Sequence, residues 1–295
     1  SSMGASLGKF LHLKEKDRRR IMLCGMSAAF SGLFGTPLAA AVLAMEICTV
    51  GTMYYTALLP CTISALVANY FAEHIVHVAE PELHIRMIPE MHWKGALSTI
   101  FLAVIGSLVS ILFILLIHKT KALFTKYFEN SFVRILVSGA IVSLFTFLLR
   151  NTDYNGTGMG IIVKTINHPG YRIFFFAFFL KILFTAVSLS GGYQGGEIVP
   201  SLYIGATLGN ALQIFLPLDP GLSAALGMAS VFCSVTNCPL ATLLICFELF
   251  GFQASSYFIL AIAVSYLCSG NYGLYHTQRI LFSKIEEKEI NTLAE

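Results

Sequence analysis

Charge is confined to a few short stretches of this chain. No Asp, Glu, Lys or Arg occurs at 21–45, 47–72, 95–117, 135–149, 182–196, 220–247 or 249–278. Several of these windows exceed the roughly 20 apolar residues that cross a bilayer core. Lipid offers a backbone N–H or C=O no partner, so each window must bond its own backbone as a helix. The chain therefore reads as an all-α, polytopic membrane protein. Composition agrees: 56% of the 295 residues are hydrophobic and 12% are charged, where a soluble domain carries about 25% charged residues. That argues against a soluble enzyme or a disordered chain. The balance of 19 Lys+Arg against 16 Asp+Glu is too diffuse for tracking nucleic-acid phosphates. The seven cysteines form no CxxC pair and lie in or beside apolar runs. They read as small core residues rather than disulfides or metal ligands.

Apolar segments are expected at about 21–34, 37–50, 54–72, 94–117, 131–149, 171–190, 200–216, 221–235, 239–250 and 254–269. The polar run Lys14–Arg20 is expected to end a first element, and the mixed-charge tail to form a solvated helix end. Residues 1–13 lack the charged start and cleavage site of a signal peptide. Gly and Pro interrupt the apolar runs at Gly32, Gly35, Pro37, Pro60, Gly191, Gly192, Gly195, Gly196, Pro200, Pro217, Pro220 and Pro239. Broken helices at membrane depth are tolerated where they are packed in protein or line a cavity, which points to a transport site.

The chain also repeats itself. GASLG (Gly4–Gly8) recurs as GATLG (Gly205–Gly209), at an offset of 201. Gly25, Met26, Phe30, Pro37, Leu38, Ala39 and Glu46 recur as Gly227, Met228, Phe232, Pro239, Leu240, Ala241 and Glu248, all at an offset of 202. The ordered series implies duplication, with 1–72 ending a first repeat, 94–270 forming a second, and 271–295 carrying a last segment and polar tail. Two copies of about 200 residues exceed 295, so an N-terminal part of the first copy is expected to lie before residue 1. Duplicated transporters place their site between repeats, where the N-termini of broken helices face anions. The break Gly195-Gly196-Glu197-Ile198-Val199-Pro200 has this form, with glycines leading into a helix start.

At these residues the sequence resembles the CLC family of chloride channels and anion/proton exchangers. Lys181–Gly209 is similar to the family's GGxFxP segment with its flanking helices, and Pro37–Glu46 and Pro239–Glu248 to two proline-led helices ending in an acid. Gly156–Ile162 resembles a glycine-rich connection, and Tyr272–Arg279 the segment bearing the pore tyrosine. The likeness corresponds to the last two-thirds to three-quarters of a family member. It implies an inverted-repeat fold, a homodimer in a bacterial plasma membrane, and a halide anion with protons as cargo, with no cofactor. It further implies anion binding by the backbone N–H groups of Ile198 and Val199 and by the Tyr275 hydroxyl. Ile198 replaces the usual Phe, which leaves the backbone donors in place. The family's serine motif and its G-x-E-G-P motif are absent from the chain. Where chloride/proton exchangers carry a second acid, Ile47 follows Glu46. Glu197 stands where chloride transporters have an aliphatic residue, as in the fluoride/proton antiporter branch. That branch favours Thr where this chain has Val199.

Each of these residues also has a plainer reading. Glu197 is either a helix N-terminal carboxylate or a proton relay beside an anion path; the relay is the reading taken forward. Glu46 and Glu248 are expected to be structural acids at helix ends. Tyr275 read alone is an interfacial aromatic; the resemblance makes it a ligand. The loop 73–93 offers His74, His77, His84 and His92 with Glu73, Glu80, Glu82 and Glu90, at spacings that match no zinc motif, and reads as solvated. Gly156–Gly160 reads as a backbone turn. Fluoride/proton antiport is the favoured function. A chloride channel or exchanger, an inactive remnant and an intramembrane hydrolase built on the His/Glu loop are the alternatives.

Overall fold

A computed structural model describes residues 2–10, 12–78, 82–168, 170–275, 277–284, 286 and 288–294. In chain order the helices begin with α1 (Ser2–Phe10), α2 (Glu15–Phe34), α3 (Pro37–Glu46) and α4 (Leu58–Phe71). There follow α5 (Trp93–Tyr127), α6 (Ser131–Leu149), α7 (Met159–Asn167) and α8 (Ala177–Gly191). The last four are α9 (Ile198–Leu212), α10 (Pro220–Thr236), α11 (Pro239–Phe250) and α12 (Ser255–Cys268). Among the described residues, four segments are long and apolar enough to cross a membrane: Tyr55–Val76, Trp93–Tyr127, Ser131–Leu149 and Ile198–Phe215.

The chain divides into two compact units that do not follow chain order. One comprises Ser1–Leu83, Thr236–Ser255 and Tyr275–Glu295; the other comprises His84–Val235 and Ser256–Leu274.

In the first unit the repeat becomes geometry. Gly35 takes a left-handed conformation (φ 68°), closes α2 with a bond from its N–H to Ser31 O, and is followed by Thr36 (φ −120°, ψ 74°) and Pro37. The counterparts, 202 residues on, are Asn237 (φ 57°), Cys238 (φ −117°, ψ 76°) and Pro239. Two unlike sequences thus make the same turn, because Gly and Asn both tolerate the left-handed region and Pro is favoured at a helix start.

Neither Thr36 nor Cys238 caps its own helix. The caps are exchanged instead. Glu46, at the end of α3, accepts from Leu240 N (3.3 Å) and Ala241 N (2.8 Å) at the start of α11. Glu248, near the end of α11, accepts from Leu38 N (3.0 Å) and Ala39 N (2.8 Å) at the start of α3. The partners are repeat-equivalent pairs, which is what a two-fold relation between the two copies produces. Helices α2 and α4 pack by small residues, as membrane helices do, with Ser27 donating to Cys61 O, Ser31 to Ala65 O and Ser64 to Cys24 O.

Strand β1 (Thr49–Val50) pairs in parallel with β2 (Arg279–Phe282), which pairs antiparallel with β3 (Glu289–Leu293). The tail is therefore a strand pair where a helix end is expected from sequence. Its segment Arg279–Phe282 finds a strand edge in Thr49–Val50, a partner remote in sequence. Lys14–Arg20 also differs from expectation: residues 15–20 form the first turns of α2, where Glu15 and Asp17 suit the positive end of the helix.

Removing an exchanged cap leaves two N–H groups without their charged acceptor. Glu46→Ala is expected to cost about 1–3 kcal/mol, measured as a lower midpoint of thermal unfolding in detergent. Glu248→Ala should cost less, since Glu46 is buried (8% exposed) and Glu248 only half-buried. An unaltered midpoint for Glu46→Ala would show the exchanged caps to be energetically idle.

Candidate functional site

In the second unit, α8 ends at Gly191 and turns through Gly192 (φ 97°) into a non-helical stretch that leads to α9. Close packing on α6 sets this turn. A Cβ on Gly191 would lie 2.2 Å from the Cβ of Ser138, and Ser138 Oγ donates to Val187 O at 2.8 Å. Tyr193 Oη donates to Ile135 O at 3.3 Å.

Helix α9 is positioned by contact with α10. A Cβ on Gly205 would lie 2.4 Å from Gly227 O, and one on Gly209 2.0 Å from Ser223 O. Only glycine lets the two backbones approach this closely. The repeat-equivalent motif behaves similarly in the first unit, where a Cβ on Gly4 would lie 2.7 Å from Ile21 O on α2.

Glu197 is the N-cap of α9, and its side chain does not cap the helix. Its main-chain oxygen accepts from Ser201 N at 3.1 Å. Pro200 has no N–H, so the donors that the helix geometry leaves at its start are Ile198 N and Val199 N. Both residues are half-buried, as is Glu197. The helix start therefore offers two aligned N–H groups, the positive end of a helix dipole and an adjacent carboxylate.

A cavity of about 410 Å³ borders this helix start, lined by Gly195, Gly196, Val199 and Pro200 together with residues of α6, α8 and the 154–157 loop. A Cβ on Gly196 would meet nothing within 4 Å, so this glycine leaves the approach to the donors open. Lys181 lines the cavity and is 1% exposed. Its Nζ donates to Tyr154 O (3.1 Å) and Gly156 O (2.7 Å) and lies 4.9 Å from the centroid of the Tyr203 ring on α9. Gly158 (φ 74°) completes the clamp, since a Cβ there would lie 2.4 Å from that ring. Of Gly156–Gly160, expected as a turn, residues 156–158 make the turn and Met159 and Gly160 already open α7. Sequence analysis did not single out Lys181. The signal was present, for it is the sole charge between Arg172 and Glu197, and a lone cation in an apolar run demands partners.

Tyr275 belongs to the first unit, half-buried, in a turn where its carbonyl accepts from Gln278 N at 2.8 Å. Ile198, Val199, Glu197, Gly195 and Gly196 belong to the second. Glu46 and Glu248 are the exchanged caps of α11 and α3. His74, His77, His84 and His92 are exposed, and among the described residues no His/Cys/Asp/Glu group is arranged to hold a metal ion. Glu80 lies outside the described residues.

If Lys181 and Gly158 fasten the 154–158 loop to α9, loosening either should free that loop. Gly158→Ala, which puts a methyl into the Tyr203 ring at positive φ, is expected to destabilise by about 1–3 kcal/mol. Lys181→Met should speed amide hydrogen exchange at residues 154–158 while α2 and α4 stay protected. Unchanged exchange there would leave the clamp without effect.

A model of the voltage gated chloride channel family matches residues 1–270. The chain is 34% identical over 292 residues to a chloride/fluoride channel protein of Pseudomonas syringae pv. tomato, and covers 64% of that relative's length. It superposes with a TM-score of 0.87 and 30% identity on the crystal structure of a CLC-type fluoride/proton antiporter, covering 94% of this chain and 70% of that one. A slow cyanobacterial Cl−/H+ antiporter, at 17% identity and a TM-score of 0.72, bears on the fold alone. An internally repeated helical membrane chain with an uncapped, glycine-led helix start, matched along nearly its whole length by that family model, belongs to the voltage gated chloride channel (CLC) family.

Proposed function

We propose that the protein moves a halide across a membrane by fluoride/proton antiport. In this reading the anion is held by the N–H groups of Ile198 and Val199 and by the Tyr275 hydroxyl, with Glu197 carrying the proton. One observation carries it: Glu197 stands at the start of α9 without capping it, so the donors and the dipole remain for an anion. An ionised carboxylate beside those donors repels an anion, and a protonated one does not. Protonation of Glu197 and anion occupancy are thereby linked. A protonated carboxyl also adds an O–H donor, which suits fluoride, the halide that accepts the strongest hydrogen bonds. Ile47, after Glu46, supplies no second acid, which leaves Glu197 as the proton-carrying carboxylate of this reading. Relatives named as a chloride/fluoride channel and a fluoride/proton antiporter support the choice of halide. A homodimer in a bacterial plasma membrane, with no enzymatic step, follows from the family resemblance. The second reading, a chloride channel or exchanger, is favoured by Val199, where the fluoride branch has Thr.

Proteoliposomes containing the protein, monitored with fluoride and chloride electrodes and a pH probe, test this. Fluoride efflux with opposed proton movement is expected, and Glu197→Gln should abolish the proton movement while leaving the protein folded. Proton movement unchanged in Glu197→Gln removes Glu197 from the mechanism. Chloride flux without fluoride flux selects the second reading, and neither flux makes the chain an inactive remnant.

A further inference from the structure

One buried side chain ties the segment that carries Tyr275 to two helix ends. Gln278 is 1% exposed. Its Nε2 donates to Ile47 O (2.9 Å), just beyond α3, and to Thr236 O (2.8 Å), the last residue of α10. Its Oε1 accepts from Asn237 Nδ2 at 3.0 Å. Its backbone N–H closes the turn onto Tyr275 O at 2.8 Å, and its carbonyl accepts from Ala294 N at 2.9 Å. Both amide protons are thus spent on carbonyls at helix ends, which a helix leaves without an internal donor.

The repeat explains why attachment happens in the second copy. Asn237 occupies the left-handed position that Gly35 holds in the first copy. The backbone turn is the same, but only Asn has an amide. That amide reaches Gln278, and its oxygen accepts from Lys284 Nζ. Gln278 is therefore tied to the end of α3 from the first repeat and to the α10–α11 turn of the second, three residues from the tyrosine.

Resting on the anion reading given above, we infer that Gln278 is a positioning residue for anion binding, acting through Tyr275. It fixes the direction of the tyrosine turn against the two helix ends. A side chain that kept the volume of Gln278 but lost its donors would leave the chain folded around a looser turn.

A double-mutant cycle separates positioning from general stability. Chloride and fluoride are titrated calorimetrically into the detergent-solubilised chain, with the unfolding midpoint recorded for each variant. Gln278→Met is expected to weaken anion binding about tenfold, the lower range for loss of a partner that orients a ligating group, as measured at metal sites. Made in the Tyr275→Phe background, it should add nothing. Equal weakening in both backgrounds, or none in the Tyr275 protein, overturns the inference. If Gln278→Met does not fold, Asn237→Gly restores the first copy's residue and removes the amide that orients Gln278. It should weaken binding about threefold with Tyr275 present and not in the Tyr275→Phe background; any other pattern overturns the inference. Binding by wild type that Tyr275→Phe leaves unchanged, or no binding by wild type, removes the tyrosine or the anion reading itself and takes this inference with it. Tyr275→Phe weakened and Gln278→Met unchanged overturns the inference alone.

Discussion

A helix broken inside an apolar environment must find partners for the backbone groups that the break exposes, and this requirement organises the chain. Several breaks are served by a side chain from elsewhere. Glu46 and Glu248 accept from the starts of α11 and α3. Gln278 donates to the carbonyls of Ile47 and Thr236, and Lys181 to those of Tyr154 and Gly156. The polar side chains of an otherwise apolar chain are spent where the backbone needs them. The start of α9 has no such partner: Glu197 stands at its N-cap without closing it. In the proposed reading its donors are left for an anion.

Duplication and close packing supply the rest. The two copies share a left-handed turn followed by proline, and each caps the other, so neither short helix is complete alone. Glycines at Gly205 and Gly209 bring the backbone of α9 against α10, and Gly191 brings α8 against α6. The start of α9 is thereby held by backbone contacts, which permit less movement than contacts between flexible side chains.

The copies have also diverged in sequence at equivalent turns. Gly35 and Asn237 make one turn, but the second has gained a side chain that bonds Gln278. Glu46 is followed by Ile47, whose carbonyl, rather than a second carboxylate, becomes the attachment point for the tyrosine segment.

Much of this was legible in the linear sequence. Charge-free windows locate most of the helices, because hydrocarbon tolerates few alternatives, although α5 runs on to Tyr127 where an end near 117 is expected and α7 lies in no expected segment; the 202-residue offset pairs Glu46 with Glu248 before any contact is known. The glycine-led start at Ile198 was legible too, since Gly and Pro act on their own backbone. The partners were not. That Glu46 bonds Ala241, that Lys181 holds Tyr154 and Gly156, that Gln278 joins Ile47 to Thr236, and that the charged tail pairs as a strand with Thr49–Val50 are decided by which chain ends meet in space. Sequence determines which backbone groups a break will orphan, because that is local chemistry; only tertiary structure decides which distant side chain satisfies them and which pair is left open.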